Sequence, residues 1–488
     1  MDEITKIYLI VAVFLLLGIF AGKISSLLRI PVLLMILAVG MLAGSDGLGG
    51  IVYDDFTQAN FIGSTALAFI LFSGGYDTSW KDVRKVMLPG TLLASLGVLL
   101  TAALLGLATS WLLGVPLEWG LLFGSVISST DAAAVFAVFR SRGFALKGNL
   151  RPLLEYESGS NDPMAAFLTL FMISKITTPE LSYGMVLPMF LLRFTIGTAV
   201  GIGIGRAAAF LFNRIRLEYD GLYYVLGIAT VFLSYSAAEL LRGNGFMAVY
   251  VCGLTLGNCR FVYKFGLGRF SDGIAWLMQV VVFLTLGLLV LPKKFPDVAL
   301  DGVLLALLLM FVVRPLAVFI CLIGSRFSWR DKLLVTWGGF RGAAPIVLAT
   351  FPLMANINQA DRLFDLVFFI VLISILIQGK TMLPLARLLK LDLPARERPR
   401  FPLEFEETGH TNDRLYQFTV TSRSPLIGKT IAELELPAGV LIPMIGRDDS
   451  TLIPNGETTL AADDEICLFC DPLAHPDVER LFIDNEKS

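Results

Sequence analysis

Apolar runs of about membrane-spanning length recur through the first 390 of the chain's 488 residues. A bilayer span needs about 20 mainly apolar residues. Thirteen candidates lie near 5–22, 30–44, 60–75, 87–113, 119–139, 150–174, 184–212, 221–240, 245–259, 271–291, 299–324, 333–354 and 363–380. Charged residues are only 16% of the chain, against about 25% in soluble proteins. That deficit argues against a soluble enzyme. The N-terminal MDEITK is acidic and no small-residue cleavage site follows the first run, so a cleaved signal peptide is not expected.

Charge divides the chain. Residues 1–390 carry 30 basic and 22 acidic residues, whereas 391–488 carry 9 basic and 19 acidic. An acidic tail is a poor nucleic-acid binder. Positive charge marks cytoplasmic loops. Alternate loops hold 18 basic residues, from Lys23 and Arg29 to Arg326, Arg330 and Lys332. The opposite loops hold 5, namely Lys175, Arg242, Lys293, Lys294 and Arg362. The N-terminus is therefore expected outside the cell membrane and the tail in the cytoplasm. Lys293 and Lys294 run against the rule.

The informative residues are polar groups within these spans, because an ionisable side chain there costs at least about 2.5–3.5 kcal/mol. Ser128, Ser129, Thr130 and Asp131 interrupt the fifth span. Either the helix unwinds there and offers backbone carbonyls to an ion, or it continues with its hydroxyls bonded back to its own carbonyls. The sixth span holds Glu157, Ser158, Asn161 and Asp162 before Pro163. A buried Asp beside a proline-loosened turn holds a cation when ionised and a proton when neutral; the other reading is an Asp paired permanently with an Arg. The twelfth span sets Arg341 among Gly338, Gly339 and Gly342, followed by Pro345. Two interrupted segments seven spans apart fit two inverted repeats behind one leading helix, with a transport site where they meet. Arg341 needs a partner in the membrane, and Glu157 is the expected one. Arg314 is a second buried cation, expected to serve Asp131 or the carbonyls of an unwound helix.

Several patterns carry less. Gly201, Gly203 and Gly205 imitate a dinucleotide fingerprint but sit inside an apolar span, where helix packing explains them better. Cys467 and Cys470 form a lone CxxC with His475 nearby, short of a four-ligand zinc site.

The segments SSTDAAAVF (128–136), ESGSNDP (157–163) and GGFRGAAPI (338–346) resemble the signatures of the NhaP-type branch of monovalent cation:proton antiporters. GNGFMAVYVCGLTLGN (243–258) and DGIAWLMQVVVFLTLGLLVLP (272–292) are similar to its potassium/proton subgroup. The resemblance implies an all-α polytopic membrane protein of about thirteen transmembrane helices, in two inverted repeats with interrupted crossing helices, usually a homodimer. It implies that Asp162 binds cation or proton, and that Ser158 and Thr130 supply oxygens. Asp131 would offset helix-end dipoles, and Glu157 and Arg341 would form a structural ion pair. Asn161 stands where electrogenic relatives carry a second Asp, which implies one-for-one electroneutral exchange of K+ or Na+ for H+, with no cofactor. Two positions depart from the pattern. Ala132 replaces a common Pro, and Ser73 stands where many members have an acidic residue in the third span, with Asp77 four residues on.

Residues 391–413, rich in Pro and charge, read as a linker. Beyond them come strand-like LYQFTV, a helix near GKTIAELEL, strand-like GVLIPMIGR, a turn at Pro454-Asn455-Gly456, strand-like DEICLFC and a closing helix. This small α+β pattern over 414–488 resembles a TrkA-C-type regulatory domain, which implies dimerisation and a small, nucleotide-like ligand. No catalytic constellation accompanies it, so the chain is not expected to be an enzyme. The channel-like tail leaves a gated cation channel as the alternative to a carrier.

Overall fold

The computed structural model describes residues 3–28, 31–140, 144–215, 217–394, 414–420, 424, 426–434, 436, 437, 439–447 and 450–470. Two compact units make it up, one almost entirely from residues before 396 and one mainly from residues after it.

The first unit is helical wherever the apolar runs fall. Its helices are α1 (Glu3–Leu28), α2 (Val32–Ala43), α3 (Phe56–Asp77), α4 (Trp80–Leu92), α5 (Val98–Leu113), α6 (Leu117–Ile127), α7 (Ala132–Arg140) and α8 (Leu150–Thr177). They continue as α9 (Val186–Arg214), α10 (Gly221–Leu240), α11 (Gly245–Gly257), α12 (Lys264–Leu289), α13 (Phe295–Leu308), α14 (Arg314–Cys321), α15 (Trp329–Trp337), α16 (Ala343–Met354) and α17 (Ala360–Leu389). Among the described residues, seven helical stretches are long and apolar enough to cross a membrane, and five apolar helices are shorter. The 28-residue α8, which carries Glu155, Glu157 and Asp162, is in neither group.

The interrupted segments do unwind. The fifth apolar run divides into α6 and α7, and the twelfth into α15 and α16. The runs before them also correspond. A π turn at Leu93–Gly97 joins α4 to α5, and another at Leu309–Val313 joins α13 to α14. Each half of the unit therefore places a π turn in one run and a break in the next. π turns of this kind often mark functional sites.

Close helix packing accounts for two of the three glycines on α9, while Gly203 faces open space. A Cβ on Gly201 would lie 2.5 Å from the Ala248 carbonyl oxygen of α11, and one on Gly205 would lie 2.9 Å from Thr255 Cβ. Small residues four apart let two backbones approach, as the packing reading expects.

The lysines that oppose the charge rule have a local explanation. Lys293 Nζ lies 2.9 Å from Asp46 Oδ1 in the loop after α2. The Lys293 hydrogen bond holds the Asp46 carboxyl below the usual carboxylate range. The positive charge is thus met on its own side.

Strand β1 (Phe144–Leu146) pairs antiparallel with β2 (Asp392–Pro394), with Ala145 opposite Leu393. Residues 392–394, read as the start of a linker, are therefore fastened to the loop between α7 and α8; residues 395–413 lie outside the described residues.

The second unit contains a four-stranded antiparallel sheet in the order β3 (Arg414–Thr419), β6 (Glu465–Cys470), β4 (Leu441–Arg447), β5 (Ser450–Leu452). Val420, Leu434, Ile445, Ile466 and Leu468 lie in its core. Arg447 ties the end of β4 to the residue before β6, with Nε 2.7 Å from Asp464 Oδ1 and Nη2 2.6 Å from Oδ2. GKTIAELEL does not form the expected α-helix. Turns and a single 3-10 turn at Ala432–Leu434 replace it, followed at once by Pro437. Cys467 and Cys470 are buried in β6, and their three-residue spacing sends the two sulfurs to opposite faces of the strand. The closing helix and His475 fall outside the described residues.

Candidate functional site

The two breaks meet. The backbone N–H of Asp131 donates to the carbonyl oxygen of Phe340 at 2.8 Å. Unwinding leaves backbone groups at four helix ends without helical partners, and the surrounding side chains answer them by charge. Arg341 is 1% exposed. Its Nη1 donates to the carbonyl oxygens of Ser128 at 2.7 Å and Ser129 at 2.6 Å. A guanidinium thus sits at the C-terminal, negative end of α6. Asp131 immediately precedes α7, and its carboxylate packs beside Gly342, which immediately precedes α16. An anion thus sits at two N-terminal, positive helix ends. Gln378 Nε2 donates to the carbonyl oxygen of Trp337 at the end of α15, at 3.1 Å. Ser374 Oγ accepts from Arg341 N at 3.1 Å.

Gly342 is what lets Asp131 come so close. A Cβ there would stand 2.1 Å from Asp131 Oδ2 and 2.6 Å from its Cβ. Because the Asp131 Cβ is fixed to the backbone, a larger residue has to push the crossing apart. Gly342→Ala is expected to destabilise the protein by about 1–3 kcal/mol, typical of overpacking. Thermal unfolding of the detergent-solubilised variant measures this. A melting temperature equal to wild type would mean the crossing yields freely.

Helix α8 lies across the break and supplies the residues singled out from the sequence. Asp162 is near its middle and 9% exposed, and Asn161 is fully buried. Ser129 Oγ donates to Asp162 Oδ1. Asn161 Nδ2 donates to Thr130 Oγ1, which leaves Asn161 Oδ1 buried with no hydrogen-bond donor among the described residues. Ser158 Oγ donates to the Thr130 carbonyl oxygen at 2.9 Å and accepts from Ala132 N at 3.0 Å. In this conformation Ser158 therefore holds the break open. A carbonyl oxygen has two lone pairs, so Thr130 retains one. Helix α8 stays helical through Pro163, although the proline offers the helix no N–H.

Two expectations need correction. Glu157 does not pair with Arg341. Its Oε1 lies 2.6 Å from Arg314 Nη2, with both side chains buried. The two arginines have exchanged the roles expected of them: Arg314 meets the carboxylate and Arg341 meets the unwound carbonyls. The π turn just before Arg314 gives the physical reason. One extra residue in a turn rotates the helix beyond it by about 100°, which changes the face Arg314 presents. Ser73, also singled out from the sequence, is buried on α3, and its Oγ donates to Asp272 Oδ1 of α12 at 2.8 Å. Asp77, the last residue of α3, is exposed.

Sequence reasoning missed four contributors. Ser129 was seen only as part of the interruption. Ser374 and Gln378 were legible as a polar pair four apart on the apolar α17. Asn244 caps α11 by accepting from Met247 N at 2.9 Å, and its Nδ2 donates to the Pro163 carbonyl oxygen at 3.0 Å. An Asn before an apolar helix is a cap signal, but its reach to α8 is not local.

Chemically, the site gathers an ionisable carboxylate, an orphaned amide oxygen, and hydroxyl and carbonyl oxygens. These are hard oxygen donors, suited to a small cation rather than to nucleophilic chemistry. Known proteins agree. Residues 11–388 match the family model described as sodium/hydrogen exchanger, transmembrane, and residues 415–482 match the TrkA-C domain. The chain is 38% identical over 483 residues to the K(+)/H(+) antiporter NhaP of Alkalimonas amylolytica, covering 99% of this chain and 84% of that protein. It is 37% identical over 470 residues to the K(+)/H(+) antiporter NhaP2 of Shewanella baltica, covering 96% and 81%. Among solved structures, the sodium proton antiporter MjNhaP1 of Methanocaldococcus jannaschii at pH 8 superposes with a TM-score of 0.69 at 26% identity, covering 80% of this chain and 99% of that one. With a broken-helix crossing beside a buried Asp, a family match over most of its length and relatives similar over nearly all of this chain, the chain belongs to the sodium/hydrogen exchanger family.

Proposed function

We propose that this protein exchanges a monovalent cation for protons across the cell membrane, one for one, by alternating access around Asp162. The observation that carries the reading is Asp162 itself, buried on α8 against the unwound residues of α6 and α7. The ionised carboxylate binds the cation, with Asn161 Oδ1 and the Thr130 carbonyl as neighbouring oxygens; the neutral one carries the proton. One carboxylate at this position, with Asn161 beside it, supports electroneutral exchange. Potassium is favoured over sodium because the relatives similar over nearly the whole chain are named for potassium.

In this reading residues 1–390 form the transport domain, 391–413 the linker and 414–488 a cytoplasmic regulatory domain with a small, nucleotide-like ligand. The N-terminus faces outward and the protein works as a homodimer. The β1–β2 pairing supports regulation from the tail, since it ties the start of the linker to the connection between α7 and α8.

Purified protein in proteoliposomes with an imposed pH gradient tests this. Adding potassium should collapse the gradient, reported by a pH-sensitive dye, at lower concentration than sodium. No collapse with either ion at any pH refutes the exchanger, and single-channel currents would establish a channel instead.

A further inference from the structure

Loops that carry the first unit's excess positive charge converge on one cavity of about 980 Å3. It is framed by the second half of α4, the start of α8, the connection from α14 to α15, and the end of α17. Among the described residues Lys85, Lys147, Arg326, Arg330 and Lys390 line it, against one acidic residue, Asp331. Asp331 is already engaged, accepting from Ser328 N and Oγ at 2.8 Å in a capping box. Lys85 is met by Asp82 at 2.8 Å. That leaves a cluster of exposed cations around Lys147, Arg326 and Arg330. The N-terminus of α8 opens at the same rim, and its N-cap Asn149 makes no side-chain cap hydrogen bond. Helix N-termini and clustered Lys and Arg both favour anions.

Part of the remaining wall is apolar, beside the polar Asn149, Ser325 and Ser328. Leu88, Pro89, Leu92 and Ile323 line it. Leu88, within the apolar span Trp80–Leu113, is 72% exposed, and Ile323, in the turn just after the span that ends at Cys321, is 75% exposed. A free phosphate ion has no use for such a wall. A phospholipid has, with acyl chains along the leucines and isoleucine and its phosphate among the cations. Basic pockets between helices on the cytoplasmic side are suited to such headgroups.

We propose that this cavity binds an anionic phospholipid of the cytoplasmic leaflet through its phosphate-bearing headgroup. The proposal goes beyond the transport reading, and only its choice of leaflet rests on the orientation given there. It does bear on transport, because the rim belongs to α8, α14 and α15, which carry Asp162, Arg314 and one arm of the broken segment.

Native mass spectrometry of the full chain in detergent tests it, using phosphatidylglycerol and phosphatidylcholine as probes. Wild type should retain phosphatidylglycerol in preference to phosphatidylcholine. The triple variant Lys147→Gln, Arg326→Gln, Arg330→Gln should lose at least ten-fold of that retention, on the order expected for three basic contacts. The control Lys23→Gln, Arg206→Gln, Arg214→Gln removes equal charge elsewhere and should retain the lipid. Equal retention in wild type and the triple variant overturns the proposal, as does equal loss in the control. Displacement of the lipid by millimolar inorganic phosphate or glycerol 3-phosphate would assign the cavity to a soluble phosphate and overturn the lipid.

Discussion

Asp162→Asn is expected to abolish cation-driven proton movement, by about 100-fold or more, while leaving the protein folded. The geometry separates those two effects. Asp162 receives its hydrogen bond from Ser129 Oγ at Oδ1, and the amide oxygen of Asn accepts the same bond. Size is unchanged, and a buried ionisable group is replaced by a neutral one, which removes a desolvation cost. What disappears is the titrating carboxylate, so neither the proton nor the cation can be exchanged for the other there. A 100-fold loss corresponds to about 2.7 kcal/mol at about 1.36 kcal/mol per decade. Dye-reported flux in proteoliposomes measures it, with a melting curve on the same preparation to show that the fold survives. Wild-type flux in a folded Asp162→Asn protein would place the site elsewhere.

Legibility from sequence tracked the range of the interaction. Apolar runs became helices because burial and hydropathy are written along the chain. The polar interruption at 128–131 was visible, but whether it unwinds was not, and the structure shows why both readings were reasonable. Ser128 Oγ bonds back to the Ser125 carbonyl oxygen at 2.7 Å, as in a continued helix. Ser129 and Thr130 instead turn to Asp162 and Asn161, more than 30 residues away. No local propensity encodes that choice. The tail shows the same limit: three of its four described strands were legible, the short β5 was not, and GKTIAELEL forms a 3-10 turn in place of the helix that its propensity suggests. Ser73 was placed at the site by resemblance alone, and its contact with Asp272 spans 199 residues.

The partner of Glu157 was the expectation furthest from the structure, and it yields the sharpest energetic test. Glu157 and Arg314 are both buried and 2.6 Å apart, so removing either leaves an uncompensated charge. Such losses cost about 3–5 kcal/mol, whereas removing both charges is close to neutral. Glu157→Gln and Arg314→Gln are each expected to lower the melting temperature strongly, and the double variant to recover most of the loss. Arg341→Gln should also destabilise, since charge-assisted bonds are worth about 1.5–3 kcal/mol each and Arg341 gives two to the broken end of α6. Its cost should add to that of Glu157→Gln rather than cancel it, because Arg341 answers carbonyls and not the carboxylate. Thermal unfolding of the three single and two double variants gives both coupling energies. A larger coupling for Glu157 with Arg341 than with Arg314 would restore the pairing expected from sequence and mean that the π turn before Arg314 does not set its direction. The expected order would make the two arginines separable devices: one neutralises a carboxylate on α8, and the other holds the crossing open beside Asp162.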